Sequence, residues 1–446
     1  MAADAPRWRR LLQRLMDASP AERISISLAA LGMSVLVGAV IVLVMGLAAT
    51  CDTAWYVTSL SGAPLRFCYD PVNVYNELFL GAFGHPFEGG WDPFNFRVAV
   101  TLKETTLLTF TGLSVAVAFR AGLFNIGTQG QLVLGALATA LAVLAAAPFV
   151  PGGLVGTVVL IPLGLLAGAV VGGAWGALPG ALKAYADANE VITTIMLNTV
   201  AANVAFFLVA SYFQPETTSN TQTADLPAEA LVPNLPLGVA FQQRDGFSLV
   251  ALAVAVGFVL LVYYVFTHLS FGYDLRTSGL QPEAAEYSGV NAGRMTVASM
   301  TLSGALGGLG GAIFVLMVEG KFLTQVPALG FDGITVAILA GNNPLGVGFA
   351  ALLFGVLKSG ALAVDFATNV PKDLVAVLRG LIILFVAMPE FFRMAGARFV
   401  DTGPPERRGA GGTTDTGDGP NATSGEGAAS DDVSGPAGSR GGEADG

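Results

Sequence analysis

The residues of this chain best suited to chemistry are uncharged and polar, and they interrupt long apolar runs. The stretch Phe119-Arg120-Ala121-Gly122-Leu123-Phe124-Asn125-Ile126-Gly127-Thr128-Gln129-Gly130-Gln131 sets three glycines and the side chains of Asn125, Thr128, Gln129 and Gln131 between two such runs. A second cluster holds Asn189, Glu190, Thr193, Thr194, Asn198 and Asn203. Thr194 and Asn198 lie four residues apart and so share a helix face. A third holds Gly330-Phe331-Asp332-Gly333, followed by Gly341-Asn342-Asn343-Pro344. Amides and hydroxyls donate and accept hydrogen bonds without carrying charge. Their chemistry is reversible recognition of a hydroxyl-rich solute, not the making or breaking of bonds. Helix-breaking backbone at membrane depth is tolerated where protein covers it or where it lines a watery cavity. The set therefore reads as a conduit wall, with structural glue between helices as the other reading.

Reaction chemistry is poorly supported. The two histidines, His85 and His268, and the two cysteines, Cys51 and Cys68, form no zinc-type ligand spacing, and no metal site is expected. No G-x-x-x-x-G-K-[ST] phosphate loop occurs: Gly320-Lys321 is followed by Phe322 and lacks the leading glycine. The chain is thus not itself an ATPase of that kind. Ser303-Gly304 follows Thr301-Leu302 in place of a Gly-x-Ser-Gly nucleophile site. Tyr273-Asp274 lies in a loop, with no Gly-x-Gly-Asp partner of the intramembrane aspartyl type.

The elements that must position these residues are membrane helices. Of 446 residues, 53% are hydrophobic and only 12% charged, against about 25% charged in soluble chains. Apolar runs that approach or exceed the ~20 residues needed to cross a bilayer core fall at 28–49, 98–118, 121–147, 152–181, 190–212, 248–267, 295–317, 327–340, 345–363 and 371–389. The fold class is all-α, a polytopic transmembrane bundle of about ten helices over 28–395. Arg7, Arg9, Arg10, Arg14 and Arg23 precede the first run and predict a cytoplasmic N-terminal segment over 1–27. The even count returns the C-terminus to the cytoplasm, placing loops 50–96 and 214–247 outside and loop 268–294 inside. A multi-pass protein of the cell membrane follows. The first apolar run is long enough to stay as an anchor, and no cleavable signal peptide is evident. Residues 71–80 have the apolar spacing of a short interfacial helix. Cys51 and Cys68 share an external loop, where a disulfide and two free thiols are both open.

From Asp401 the chain turns to Gly, Pro, Ser, Thr, Asp and Glu, which predicts a disordered acidic tail over 396–446. The formal net charge of -10 arises in loops and tail, so it points to no nucleic-acid polymer or other charged partner. Asn421-Ala422-Thr423 matches a glycosylation acceptor, but this topology puts it on the wrong side.

Gly164, Gly168, Gly172, Gly176 and Gly180 recur every fourth residue, a small-residue stripe that lets two helix backbones approach closely in lipid. A second set is Gly304, Gly307, Gly308, Gly310 and Gly311. Each set is followed some 20 residues later by a similar segment, Ile192 to Leu197 and Ile334 to Leu339. This pattern suggests an internal duplication, as in many transporters. Between two spans, Gly272 to Asn291 contains a predicted short helix. Pro282 starts it, Glu283 sits at its positive end, Ala284 and Ala285 permit close approach, and Gly289 ends it. Such a helix suits docking into a groove on a partner.

At these residues the sequence resembles the permease subunits of ABC importers for nucleosides and simple sugars, the family of ribose-type and guanosine-type systems. Thr111 to Gln131 is similar to its "LTGLAVAFRAGLFNIGAEGQ" block, Asn189 to Asn198 to its "NEVISTIMLN" block, and Gly279 to Asn291 to its coupling loop, "GxNPxAAxYAGI" in shape. Thr128-Gln129 stands where the family has Ala-Glu, and Gln281 where it has Asn. The resemblance spans about 70 to 390 and leaves out the tail. It implies an assembly of two related permease subunits, two cytoplasmic ATPase subunits that use ATP and Mg, and an external solute-binding protein. This chain itself would bind no cofactor. Glu283, Ala284, Ala285, Tyr287 and Gly289 would sit on the ATPase, and Asn125, Thr128, Gln129, Gln131 and Asn198 near the translocation path. A stand-alone carrier would need a buried acidic coupling residue, for which Asp332 or Asp365 are available, but the docking loop argues against it.

Overall fold

The computed structural model describes residues 20–51, 55–58, 64–233 and 245–400. The start of the basic segment and the acidic tail from Asp401 lie outside the described residues. The helices are α1 (Pro20–Ala48), α2 (Pro71–Phe79), α3 (Phe96–Arg120), α4 (Thr128–Ala146), α5 (Leu154–Ala186), α6 (Glu190–Leu208), α7 (Leu249–His268), α8 (Ser270–Leu280), α9 (Pro282–Tyr287), α10 (Ala292–Ile313), α11 (Leu329–Leu339), α12 (Pro344–Ala367) and α13 (Lys372–Val400). Both α6 and α10 end in a wider π turn, Val209–Phe213 and Phe314–Glu319.

Among the described residues, seven helical segments are long and apolar enough to cross a membrane: Ala29–Ala48, Thr128–Phe149, Leu154–Ala186, Glu190–Phe213, Leu249–His268, Ala292–Glu319 and Pro344–Ala367. The protein is therefore a multi-pass helical bundle. Two other predicted spans are long helices that carry charge, α3 with Lys103 and Glu104, and α13 with Lys372, Asp373 and Arg379. The run at 327–340 yields only α11, whose 11 residues rise about 16 Å at 1.5 Å each. That is half a bilayer. The run at 121–147 is broken: helix begins only at Thr128. At the far end α13 continues to Val400, past the boundary at 395 that composition suggested.

One small sheet interrupts the all-α pattern. Strands β1 (Trp55–Thr58) and β2 (Pro64–Phe67) pair antiparallel, Trp55 opposite Phe67. A disulfide between Cys51 and Cys68 closes this hairpin, which settles the pairing left open by the sequence. The short helix expected at 71–80 is α2, and it packs its apolar face against the bundle. Asp70 caps it by accepting from Val72 N at 2.9 Å, and Val74 and Leu78 are buried in a cluster shared by α1, α12 and α13.

The stripe on α5 meets Gly304 and Gly308 of the second set, while Gly307, Gly310 and Gly311 face α3 and α4. A Cβ on Gly172 would lie 2.5 Å from Gly304 O, one on Gly176 2.9 Å from Gly304 Cα, and one on Gly180 2.9 Å from Met300 Cβ. A Cβ on Gly168 would lie 2.9 Å from Gly308 O, while Gly164 faces Thr139 and Leu316. No side chain fits between these backbones, so α5 and α10 touch along their main chains. Thr139 Oγ1 bolts α4 to this seam by donating to Gly164 O at 2.9 Å. The seam holds α10 at the centre of the bundle, with 72% of its most apolar stretch buried, while that of α6 at the rim is 22% buried.

Candidate functional site

The break between α3 and α4 begins where α3 ends. Gly122 turns the chain with φ +70°, a left-handed conformation, and a Cβ there would lie 2.6 Å from Gly279 O at the end of α8. The chain then re-enters the bundle. Asn125 Oδ1 accepts from Gly127 N at 2.9 Å, an Asx turn that fixes the re-entry. Asn125 Nδ2 donates to Gln131 Oε1 at 3.0 Å and to Ser303 Oγ at 2.7 Å. Ser114 Oγ donates to Ser303 O at 2.7 Å and lies 3.2 Å from Thr128 Oγ1. Asn125, Thr128, Gln131, Ser114 and Ser303 are all 0% exposed. The predicted residues Asn125, Thr128 and Gln131 are thus brought together, but as a closed polar joint among α3, α4 and α10, not around an opening.

The other predicted residues surround this joint. Thr194, also 0% exposed, donates to its own helix at Glu190 O, 2.7 Å away. Asn198 reaches from α6 to the broken backbone, donating to Ile126 O at 2.9 Å and accepting from Gly130 N at 2.8 Å. Gln129 stitches two helix starts together. Its Oε1 accepts from Gly330 N at 2.8 Å and its Nε2 donates to Pro327 O at 2.9 Å. The starts of α4 and α11 therefore meet inside the bundle, with Gly330 against the Gln129 backbone. Asn189 serves as the cap of α6, accepting from Val191 N at 3.0 Å and Ile192 N at 3.2 Å.

Asp332, two residues beyond Gly330, belongs to a charged triad. Lys358 Nζ on α12 lies 3.0 Å from Asp332 Oδ2 and 3.1 Å from Glu104 Oε2 on α3. Sequence reasoning missed Glu104 and Lys358, although each is a charge inside an apolar run, the signal that marks intramembrane function. It also missed Ser114 and Ser303, whose only sequence signal is position within glycine-rich motifs.

At the other end of the bundle from the hairpin, α8 and α9 form a small platform. Ser288, Gly289 and Val290 close α9 in a Schellman-type cap, Gly289 N donating to Glu286 O at 2.9 Å and Val290 N to Ala285 O at 3.0 Å. Gly289 has φ +84°, with open space where a Cβ would be. The turn requires glycine here whatever packs against it. Pro282, Glu283 and Ala284 are exposed, and Tyr287 is 95% exposed. Ala285 differs from the expectation: it is 4% exposed and turned inward, because a six-residue helix lying on a surface buries one residue per turn.

A family model described as the permease component of branched-chain amino acid transport systems matches residues 98–387, the region that holds the joint, the triad and the platform. The chain belongs to this permease family. It is 34% identical over 327 residues to the nucleoside ABC transporter permease protein NupB of Lactococcus lactis, covering 73% of this chain and 85% of that protein. It is 33% identical over 331 residues to the guanosine ABC transporter permease protein NupP of Bacillus subtilis, covering 72% and 86%. The glucose ABC transporter permease protein TsgB13 of Haloferax volcanii is also 33% identical, over 331 residues, covering 73% and 82%. The permease is therefore the membrane-spanning component of an ABC transport system.

Proposed function

We propose that this permease forms the translocation path for a nucleoside or a simple sugar, taken from an external solute-binding protein and driven by separate ATPase subunits. The chain itself catalyses no reaction and binds no cofactor; ATP and Mg belong to the ATPase. The solute class rests on the relatives, whose names specify nucleosides, guanosine and glucose. The observation that carries the ATPase coupling is α9, a capped helix whose largest side chain, Tyr287, is 95% exposed. Leu280, just before it, is 81% exposed. Such apolar exposure on a rigid platform suits a partner's groove. Both termini and this platform lie on the cytoplasmic side.

Gln129, Asn198 and Asp332 are the wall residues in this reading, and Asn125, Thr128, Gln131 and Thr194 form the joint about which α4 moves. A second, related permease covers the bare face of α6, where Asn203 and Thr199 are exposed among Ile195, Met196 and Phe206. An amide facing hydrocarbon is costly, so this face suits protein or a watery path. Motion reaches the joint from the platform through the backbone contact of Gly279 with Gly122.

The test is uptake of labelled guanosine, uridine, ribose and glucose by the assembled transporter, with Tyr287→Ala as the variant. The variant is expected to keep the fold, lose most ATPase association and lower uptake at least tenfold. Uptake powered by an ion gradient, with no ATPase subunit bound, would overturn the proposal.

A further inference from the structure

The triad borders a cavity that the sequence did not reveal. It has a volume of about 280 Å³ and lies between α3, α12 and α13, with Glu104, Lys358, Asp365, Lys372 and Arg379 as its polar lining. That volume is close to the lower end of the roughly 300–1,000 Å³ typical of small-molecule sites. Lys372 and Arg379 are two helical turns apart and share a face of α13, with Ala376 between them leaving room. The cavity reaches deep. Leu378, next to Arg379, packs against Gly38, and Gly38 is midway along the apolar span Ala29–Ala48.

Two groups of opposite sign are incompletely satisfied here. Arg379 makes no hydrogen bond or ion pair with any described residue. Glu104 Oε2 is buried with Lys358 Nζ, 3.1 Å away, as its one partner, which leaves this oxygen able to accept a second hydrogen bond. A guanidinium near the middle of a bilayer is costly unless it faces a partner or a polar cavity. Asp365 is held by Lys372 at 3.1 Å, and Asp332 by Lys358. The cluster then has three carboxylates (Glu104, Asp332, Asp365) and three cations (Lys358, Lys372, Arg379), and its charges cancel. An anionic ligand such as a lipid phosphate would meet Glu104 and Asp365 as well as Arg379. A neutral molecule that both donates and accepts hydrogen bonds satisfies both loose ends.

We infer that this cavity is a solute-binding chamber for a neutral, hydroxyl-rich molecule, with Arg379 donating to the solute and Glu104 accepting from it. This rests on the import function proposed above and gives it a binding site apart from the sealed joint. Lys358 lines the chamber, while its partner Asp332 stands next to the Gln129 stitch. The Lys358–Asp332 pair therefore divides the chamber from the wall residues.

Two measurements on the assembled transporter test it. Arg379→Gln is expected to raise the KM for the transported solute about tenfold, with assembly and thermal stability unchanged and Arg379→Lys intermediate. Independently, Ala376→Cys places a thiol in the chamber; both native cysteines are in the disulfide and give no background. A membrane-impermeant maleimide is expected to label it, and guanosine, uridine, ribose or glucose to slow labelling several-fold. An unchanged KM in Arg379→Gln, no labelling at Ala376→Cys, or labelling that none of the four solutes slows overturns the chamber. If Tyr287→Ala still abolishes ATP-driven uptake in those cases, the importer reading stands and only the chamber falls.

Discussion

Two polar regions share the interior of this bundle and solve the same problem in opposite ways. The joint of Asn125, Gln131, Thr128, Ser114 and Ser303 is uncharged, 0% exposed and hydrogen-bonded within itself. The cluster of Glu104, Lys358, Asp332 and Arg379 is charged, half-covered and leaves a guanidinium facing a cavity beside a carboxylate with bonding capacity to spare. Neutral amides can be completed by each other and by kinked backbone, so they close. Buried charges need balance as well as hydrogen bonds; here Lys358 meets Glu104 and Asp332 directly, while the Arg379 guanidinium is left facing the cavity. A polar residue in a membrane helix is therefore not by itself a mark of the pathway; its unfilled bonding capacity is the better guide.

The contrast can be broken most severely at Lys358. Lys358→Met leaves Glu104 and Asp332 facing one another without a cation, and removing one partner of a buried ion pair costs roughly 3–5 kcal/mol. Chemical unfolding in detergent or nanodiscs should record a loss of that size. Neutralising the carboxylates as well, with Glu104→Gln and Asp332→Asn, should recover most of it. Failure of that rescue would mean that the triad is held by packing and not by charge.

Asn125→Ala tests the joint. It removes bonds to Ser303, Gln131 and Gly127 and leaves buried groups unpaired, which should cost about 2–3 kcal/mol and lower the thermal midpoint. Arg379→Gln, by contrast, should leave that midpoint within experimental error. Equal losses in the two variants would erase the distinction between a closed joint and an open chamber.

A further test lies at the seam that carries Ser303 to the joint. Gly172→Ala would place a methyl 2.5 Å from Gly304 O, and overpacking of this kind costs about 1–3 kcal/mol. Gly304 O, Gly308 Cα and Gly308 N would all stand within 3 Å of it and all are backbone, so the loss should fall at the high end, with uptake reduced in proportion to the loss of folded protein. Reduced uptake with stability unchanged would show that the seam moves during transport.

Local chemistry made much of this legible in the sequence. Apolar run length set the membrane helices, because a bilayer demands about 20 residues whatever their order. Glycine spacing along one face announced the close helix contact, and Pro282 with Gly289 bracketed α9 through backbone preferences that depend on neighbours alone. The sequence also marked an interruption within Phe119 to Gln131, although the break itself is Ala121 to Gly127, which the apolar run at 121–147 had included. It could not say whether those side chains faced water or one another, since that depends on Ser303, far away in the chain. Nor could it bring Glu104, Lys358 and Arg379 to one cavity from three separate helices, or turn Ala285 inward while leaving Ala284 outside. Periodicity and breaks are properties of a segment. Burial, pairing and charge balance arise only when distant segments meet, and tertiary packing alone decides which ones do.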